Sequence, residues 1–124
     1  MQTNTMRMPK ALAQVGENPC EVAGLFHLLA GRWVLPVLYH LHHADAPMRF
    51  GQLRRVVGEV TPTELTKTLR LLETTDLITR RIYPEVPVRV EYECTDMGNS
   101  LKKPINLLAD WLKTHGAKLQ RKLR

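Results

Sequence analysis

Residues 61–72 have the side chains best suited to recognising another molecule. Turned as a helix in steps of about 100° per residue, they place leucines on one side and polar donors on the other. The apolar side has Leu65, Leu69 and Leu72, and the polar side has Thr63, Thr66, Lys67 and Arg70. Such a polar side suits the major groove of DNA, where short side chains meet base edges and longer cations reach phosphates. An ordinary solvated helix has the same composition, so both interpretations stay open on this stretch alone.

Arginines lie on both sides of this stretch. Arg49 precedes it, and Arg80, Arg81 and Arg89 bracket residues 84–87. An arginine on a β-ribbon can enter the narrow minor groove or bind phosphate there. Glu85 and Glu91 partly offset these charges, so salt-bridged surface arginines are the alternative. On the DNA hypothesis the contacts are Arg49 on the backbone, Thr61, Thr63, Thr66, Lys67 and Arg70 in the major groove, and Arg81 and Arg89 on the ribbon.

Two cysteines and a histidine cluster are the other reactive groups. Cys20 stands at the start of a predicted helix, where the helix dipole stabilises a thiolate although Glu21 opposes it. It is a candidate redox or electrophile sensor, with a structural thiol as the alternative, whereas Cys94 is predicted to face the core. The histidines are His27, His40, His42 and His43. No two of the clustered three have the i, i+4 spacing of helical metal ligands, so we expect cationic or hydrogen-bonded residues at a helix end.

The composition favours a DNA-binding protein over an enzyme. The net charge of +6 and the pI near 9.7 suit a polyanionic partner. The sequence has no glycine-rich phosphate loop, nucleophile elbow or carboxylate pair, so we predict neither catalysis nor a cofactor or metal. Its 124 residues suffice for one domain. No apolar run approaches a membrane span and no secretory signal opens the chain, which predicts a soluble, cytoplasmic protein.

The elements that must position these residues are mostly helices. Residues 1–18 are predicted to form a loosely ordered arm, followed by one domain over residues 19–124. Helices are expected from about residue 19 to Gly31, over residues 33–41, and over residues 50–57 with a stop at Gly58. Thr61, Pro62 and Glu64 form a capping-box pattern that opens the next helix, which is expected to run to about Thr75.

A β-hairpin and a last helical region follow. Residues 77–83 and 88–94 are predicted to pair as antiparallel strands, and Met48 with Arg49 to form a very short strand. Thr95 caps the last region, which Pro104 is expected to divide into a short and a long helix. The long helix has an apolar stripe of Ile105, Leu108, Leu112 and Leu119. The fold class is therefore mainly α with a small β-hairpin, and the short turn at residues 58–60 makes it a winged helix-turn-helix.

Short motifs in a fixed order give the chain a family resemblance. They are Cys20, Gly31-Arg32-Trp33, Arg49-Phe50, Leu53-Arg54-Arg55, Leu65-Thr66, Leu69-Arg70, Leu72-Glu73, Tyr83-Pro84-Glu85-Val86-Pro87, Arg89-Val90-Glu91-Tyr92 and Thr95-Asp96-Met97-Gly98. In these motifs the chain resembles the HxlR family of winged-helix regulators, over about residues 20–111. The resemblance implies a DNA-binding regulator that dimerises through its first and last helices, some relatives using the cysteine at position 20 as a sensor.

Three positions depart from the family pattern. Thr63 stands where a lysine is common, which suggests a different operator, and Glu21 stands where a proline is common. Asp76 stands at a usual glycine and must adopt a positive φ or end the helix differently. Dimerisation also follows from the last helix, since its stripe and Trp111 exceed what one small domain needs to cover.

The leading hypothesis is therefore a homodimeric repressor that binds a pseudo-palindromic operator in double-stranded DNA and blocks a promoter. One alternative is a thiol-based regulator in which Cys20 oxidation or alkylation changes operator affinity. The other is a winged helix whose basic face binds an acidic protein partner and no DNA.

Overall fold

The computed structural model describes the backbone of residues 19–123 and the side chains of residues 22–123. The predicted arm, residues 1–18, lies outside the described residues. The elements are α1 (Pro19–Leu29), α2 (Val34–His43), α3 (Phe50–Val57), α4 (Pro62–Thr74), β1 (Ile78–Tyr83), β2 (Arg89–Cys94), α5 (Asp96–Asn99) and α6 (Lys102–Leu123). The predicted fold class, mainly helical with a small antiparallel hairpin, is confirmed.

Helix α2 forms the centre of the hydrophobic core. Its apolar residues face several elements at once, because α2 packs against α3, α4, α6 and β2. Val37 and Leu38 have no exposed surface, and Leu53 of α3 and Leu65 of α4 are equally buried. Pro36 falls in the first turn of α2, where its missing N–H removes no helical bond. The core therefore fixes the orientation of α3 and α4, the two helices of the helix-turn-helix.

The hairpin is anchored to the helical body at its base. Ile78 pairs with Cys94 and Tyr83 with Arg89, so the loop 84–88 lies at the far end. Met48 adds a single bridge to Tyr92, with N–O distances of 2.9 and 2.8 Å. Of the short strand predicted at Met48 and Arg49, only Met48 forms this pairing, because Arg49 is already the N-cap of α3.

The chain leaves α4 near Asp76 and leaves α5 at Ser100 and Leu101. Asp76 adopts a φ of 65°, which is the first of the two outcomes expected where it stands at the family's usual glycine. The prediction that Pro104 divides the last helical region was wrong. The break lies at Ser100 and Leu101, and Pro104 sits in the first turn of α6, where a proline is tolerated.

No single helix within residues 19–123 combines the length and apolarity that crossing a membrane requires, although α1 and α2 pass that test jointly across a bend of 72°.

Candidate nucleic-acid interface

The N-terminus of α4 is fixed by the predicted capping box. The backbone N–H of Glu64 donates to the Thr61 hydroxyl over 3.1 Å, and the Thr61 N–H donates to the Glu64 carboxylate over 2.9 Å. The second bond holds the pKa of Glu64 below its ordinary value. Pro62 occupies the first turn, as predicted. Both the start and the rotation of α4 are therefore defined, which decides which side chains point outward.

The outward face of α4 is the polar face that the sequence predicts. Leu65, Leu69 and Leu72 are buried, whereas Thr63, Lys67 and Arg70 are exposed and Thr66 is half-buried. Pro62, Thr63, Thr66, Lys67 and Arg70 line one shallow surface groove. No carboxylate of the described residues lies within salt-bridge distance of Lys67 or Arg70. Both cations are therefore available to an anionic partner.

Helix α3 adds basic residues beside this face. Arg49 caps α3, and its side chain is exposed in an open hollow of about 550 Å³ that also contains Gln52, Arg55 and Glu91. Arg54 has a different task, because its Nε donates to the Val60 carbonyl over 3.3 Å and braces the turn between α3 and α4. Arg55 is exposed in the same hollow as Arg49 and is absent from the predicted contacts, because its sequence signal is only its place in the Leu53-Arg54-Arg55 motif.

A cavity of about 260 Å³ separates α4 from the hairpin. Thr66, Arg70 and Glu73 line it from α4, and Arg80 and Tyr92 line it from the hairpin. Arg80 bonds Glu73 across the cavity, with an Nε–O distance of 3.4 Å. Arg80 thus links the wing to α4, so its charge is partly used within the protein.

The hairpin follows α4 as a wing, and α4 occupies the position of a recognition helix.

On the wing, Arg81 and Arg89 differ in their surroundings. Arg81 is exposed and has no salt-bridge partner among the described residues. Arg89 bonds two carboxylates, Glu85 over 2.7 Å and Glu91 over 2.6 Å. Its guanidinium also lies 3.8 Å from the ring centre of Tyr83. The DNA contact predicted for Arg89 stays a prediction, and the salt-bridged alternative describes what this side chain does in the free protein.

A second exposed surface lies on the terminal helices. Of the predicted stripe on α6, Ile105 is buried within the domain, whereas Leu108, Leu112 and Leu119 are more than two-fifths exposed. Trp111 adds to this surface, and on α1 Phe26 is 66% exposed. A groove of about 280 Å³ between α2 and α6 continues the apolar surface. Leu108, Trp111 and Leu112 therefore form an exposed apolar patch on α6, and Phe26 is a further exposed apolar side chain on α1.

Comparison with known proteins agrees with this architecture. Residues 28–120 match the family model described as HxlR-like helix-turn-helix. The chain belongs to the HxlR-like family. An HTH-type transcriptional regulator from Methanothermobacter thermautotrophicus is 39% identical over 101 residues, which cover 82% of this chain and 76% of that protein. The family and its named relatives make this HxlR-like chain a transcriptional regulator of the winged helix-turn-helix type.

Two solved structures are similar to the HxlR-like chain over most of its length. The redox regulator HypR in its reduced form has a TM-score of 0.72 and 29% identity, covering 81% of this chain and 97% of that chain. The reduced form of the transcriptional regulator YodB from Bacillus subtilis has a TM-score of 0.64 and 27% identity, covering 77% and 90%.

The HxlR-like chain has two cysteines, one in α1 and one in β2. Cys20 falls in the first turn of α1, but its side chain lies outside the described part, so its candidacy as a sensor stays a prediction. Cys94 is half-buried against the core, as predicted. Burial raises the pKa of its thiol to about 11, which keeps Cys94 protonated and unreactive at neutral pH.

The clustered histidines make separate structural contacts. The Nε2 of His42 lies 2.8 Å from the carbonyl of Gly98, which links the end of α2 to α5. Burial lowers the pKa of His42, so it is neutral at pH 7 and its Nε2 carries the proton for this bond. His43 reaches Asn106 over 2.9 Å. Among the described side chains, those of residues 22–123, no three histidine, cysteine or acidic groups are placed together as metal ligands.

Proposed function

We propose that this HxlR-like protein binds double-stranded DNA in the cytoplasm as a homodimer and represses transcription by covering a promoter. The observation that carries the proposal is the outward face of α4. Its leucines are buried and its capping box is complete, while Lys67 and Arg70 have no acidic partner among the described residues. A helix fixed in this way can enter a major groove and bring its N-terminal side chains to base edges.

The contacts divide by chemistry. Thr61, Thr63 and Thr66 are short hydrogen-bonding groups near the start of α4 and are proposed to face bases. Lys67 and Arg70 are long cations further along and are proposed to bind bases or phosphates. Arg49 at the start of α3 is proposed to bind the backbone, and Arg81 is the exposed cation of the wing. Thr63 replaces a common lysine, so the operator is expected to differ from those of relatives.

The homodimer is proposed from the apolar patch on α6 and from the exposed Phe26 of α1. Isolated domains rarely leave several large side chains exposed on one surface, and such a patch generally marks an interface. Phe26, Leu108, Trp111 and Leu112 are large enough to form the centre of a twofold contact. Two copies related in this way present two α4 helices to half-sites about one DNA turn apart.

The test begins with selection of bound genomic fragments and continues with fluorescence anisotropy across a salt series. We expect Lys67→Ala and Arg70→Ala to reduce the salt slope by about one unit for each half-site, and Thr66→Ala to change the preferred sequence. Lys113→Ala is the matched control, because it removes a charge from an exposed site on α6 and should leave the slope unchanged. Equal binding by all variants, or no binding to any duplex, would contradict the proposal and favour an acidic protein partner.

A thiol-controlled variant of this function is favoured by one finding. The solved structures similar to this chain include the redox regulator HypR in oxidised and reduced forms. We propose on that basis that Cys20 is a sensor whose oxidation or alkylation changes operator affinity. Diamide should then alter DNA binding of the wild type and leave Cys20→Ser unaffected. An undiminished diamide response in Cys20→Ser would remove Cys20 from this role.

A further inference from the structure

The wing has no excess of positive charge. Residues 78–94 contain three arginines and three glutamates. Two of the arginines, Arg80 and Arg89, are bound by glutamates of the same chain. The attraction of a surface to DNA phosphates depends on its net positive charge. The wing as a whole is therefore attracted only weakly to the DNA backbone. Its contribution to binding must come largely from shape and apolar contact.

The tip of the wing is apolar and stiff. Val86 projects from it with a relative exposure of 101%, and proline stands on each side of the Glu85-Val86 pair. Proline restricts the φ angle and thus the freedom of the loop. Val88 and Ile82 extend the apolar surface and are 61% and 55% exposed. A monomer gains nothing by placing these side chains in water, so the exposed tip points to a contact made with a partner.

Arg89 ties this tip to the strands. Its Nε and Nη2 both donate to the Glu85 carboxylate, at distances of 2.7 to 3.3 Å. Its Nη1 donates to Glu91 over 2.6 Å, and its planar group stacks on Tyr83. Only a quarter of the Arg89 side chain is exposed. A two-sided fork of this kind fixes Glu85, and with it the neighbouring Val86, relative to β2.

We infer that Val86 enters the minor groove as an apolar probe and that Arg89 is a positioning residue that holds it there, not a phosphate contact. The inference rests on the proposed DNA binding. The minor groove is about 6 Å wide, so it can admit a single valine side chain from the narrow loop between Pro84 and Pro87. Some DNA-binding proteins insert apolar side chains into this groove as wedges. A guanine places its 2-amino group on the floor of that groove. The wing therefore favours A·T pairs at the base steps that it covers.

The charge variants separate the two roles of Arg89 by the salt slope. A phosphate contact predicts that Arg89→Ala lowers the slope by about one unit per half-site. A positioning role predicts weaker binding with the slope unchanged, and it predicts that Arg89→Lys does not restore affinity, because an ammonium cannot form the fork. Arg81→Ala is the matched control on the same ribbon, and its slope should fall.

The Glu85→Gln variant should change DNA affinity in opposite directions under the electrostatic and the positioning interpretations. Removal of a negative charge near DNA should strengthen binding if electrostatics alone matter. Loss of the carboxylate that Arg89 grips should weaken binding if the tip must be held in place. We expect Glu85→Gln to lower DNA affinity, by up to about tenfold for each half-site. Tighter binding by Glu85→Gln, or a slope that falls in Arg89→Ala and recovers in Arg89→Lys, would overturn the positioning role.

The groove contact is tested with modified bases. At wing positions located by footprinting, replacing A·T by G·C should weaken wild-type binding, and inosine·cytosine, which lacks the 2-amino group, should restore it. Val86→Ala should bind about tenfold more weakly per half-site, since two buried methyl groups are lost, and should no longer distinguish G·C from inosine·cytosine. A wild type that ignores the 2-amino group, or a Val86→Ala variant that retains full affinity and discrimination, would overturn the apolar probe. Circular dichroism and the unaltered α4-dependent sequence preference show that each variant is folded. Failure of wild-type DNA binding itself would refute the proposed function instead.

Discussion

Replacement of Gly98 by alanine gives the sharpest stability prediction in the molecule. A Cβ at position 98 would lie 1.9 Å from the Leu77 carbonyl oxygen and 3.2 Å from the Cβ of Cys94. Ordinary contact begins at 3.4 Å, so the backbone of α5 or the start of the hairpin must move by about 1.5 Å. Gly98→Ala therefore forces apart α5 and the residue that precedes β1.

That movement breaks bonds as well as packing. Gly98 O lies 2.8 Å from His42 Nε2, and Leu77 O accepts from the Thr95 N–H over 3.1 Å. Overpacking costs about 1–3 kcal/mol, and each lost hydrogen bond about 1 kcal/mol. We expect Gly98→Ala to lower the free energy of unfolding by about 3–5 kcal/mol, a large share of the total for a domain of this size.

Urea unfolding followed by circular dichroism, at fixed protomer concentration, measures this change. Gly51→Ala is the matched control, because a Cβ on that exposed residue of α3 meets no atom within 4 Å. Alanine is the better helix former, so Gly51→Ala should be neutral or stabilising by about 0.5 kcal/mol. A Gly98→Ala protein within about 0.5 kcal/mol of the wild type would show that the packing of α5 against Leu77 is not as described.

Three further predictions concern single residues. Asp76→Gly should stabilise the protein by up to about 1 kcal/mol in the same urea assay, because Asp76 holds a φ of 65° that glycine adopts freely. A loss of stability in Asp76→Gly would contradict the strain at this position. Burial lowers the pKa of His42 below 6.5, so the unfolded chain binds more protons than the folded one as the pH falls, and the free energy of unfolding should decrease below about pH 6.5. His42→Gln should reduce the difference in unfolding free energy between pH 7.5 and 5.5. An unchanged difference would exclude His42 as its source. Burial raises the pKa of Cys94 from 9.0 to about 11, so the free energy of unfolding should fall between pH 9 and 11 as the unfolded chain loses this proton. In Cys20→Ser protein at pH 8, the Cys94 thiol should react with Ellman's reagent only after unfolding. Rapid reaction of the folded protein would contradict the burial of Cys94.

Features set by neighbouring residues could be predicted from the sequence. The capping box at Thr61 and Glu64 involves partners three residues apart, so the pattern alone indicated both bonds. The left-handed Asp76 is one of the two outcomes that the family resemblance implies, because a glycine is usual at this position. The buried and exposed sides of α4 followed from helical periodicity, because Leu65 and Leu69 are separated by one turn.

Features set by distant contacts could not be predicted in this way. His42 and Gly98 are 56 residues apart, and no local pattern brings them together. The break before α6 lies at Ser100 and Leu101 and not at Pro104, because a proline is tolerated in the first turn of a helix as well as after its end. For Arg89 the sequence leaves a DNA contact and a salt bridge to Glu85 or Glu91 both open, and the bonds that it forms in the free protein depend on the geometry of the hairpin.

The position of α4 and the wing on DNA can be read in one experiment. Dimethyl sulfate methylates guanine N7 in the major groove and adenine N3 in the minor groove, which are distinct edges of the base pairs. On a selected operator, we expect protection of guanine N7 in two patches about one helical turn apart, with adenine N3 protected beside each patch. A bound complex in which guanine N7 stays fully reactive throughout the footprint would contradict the placement of α4 in the major groove.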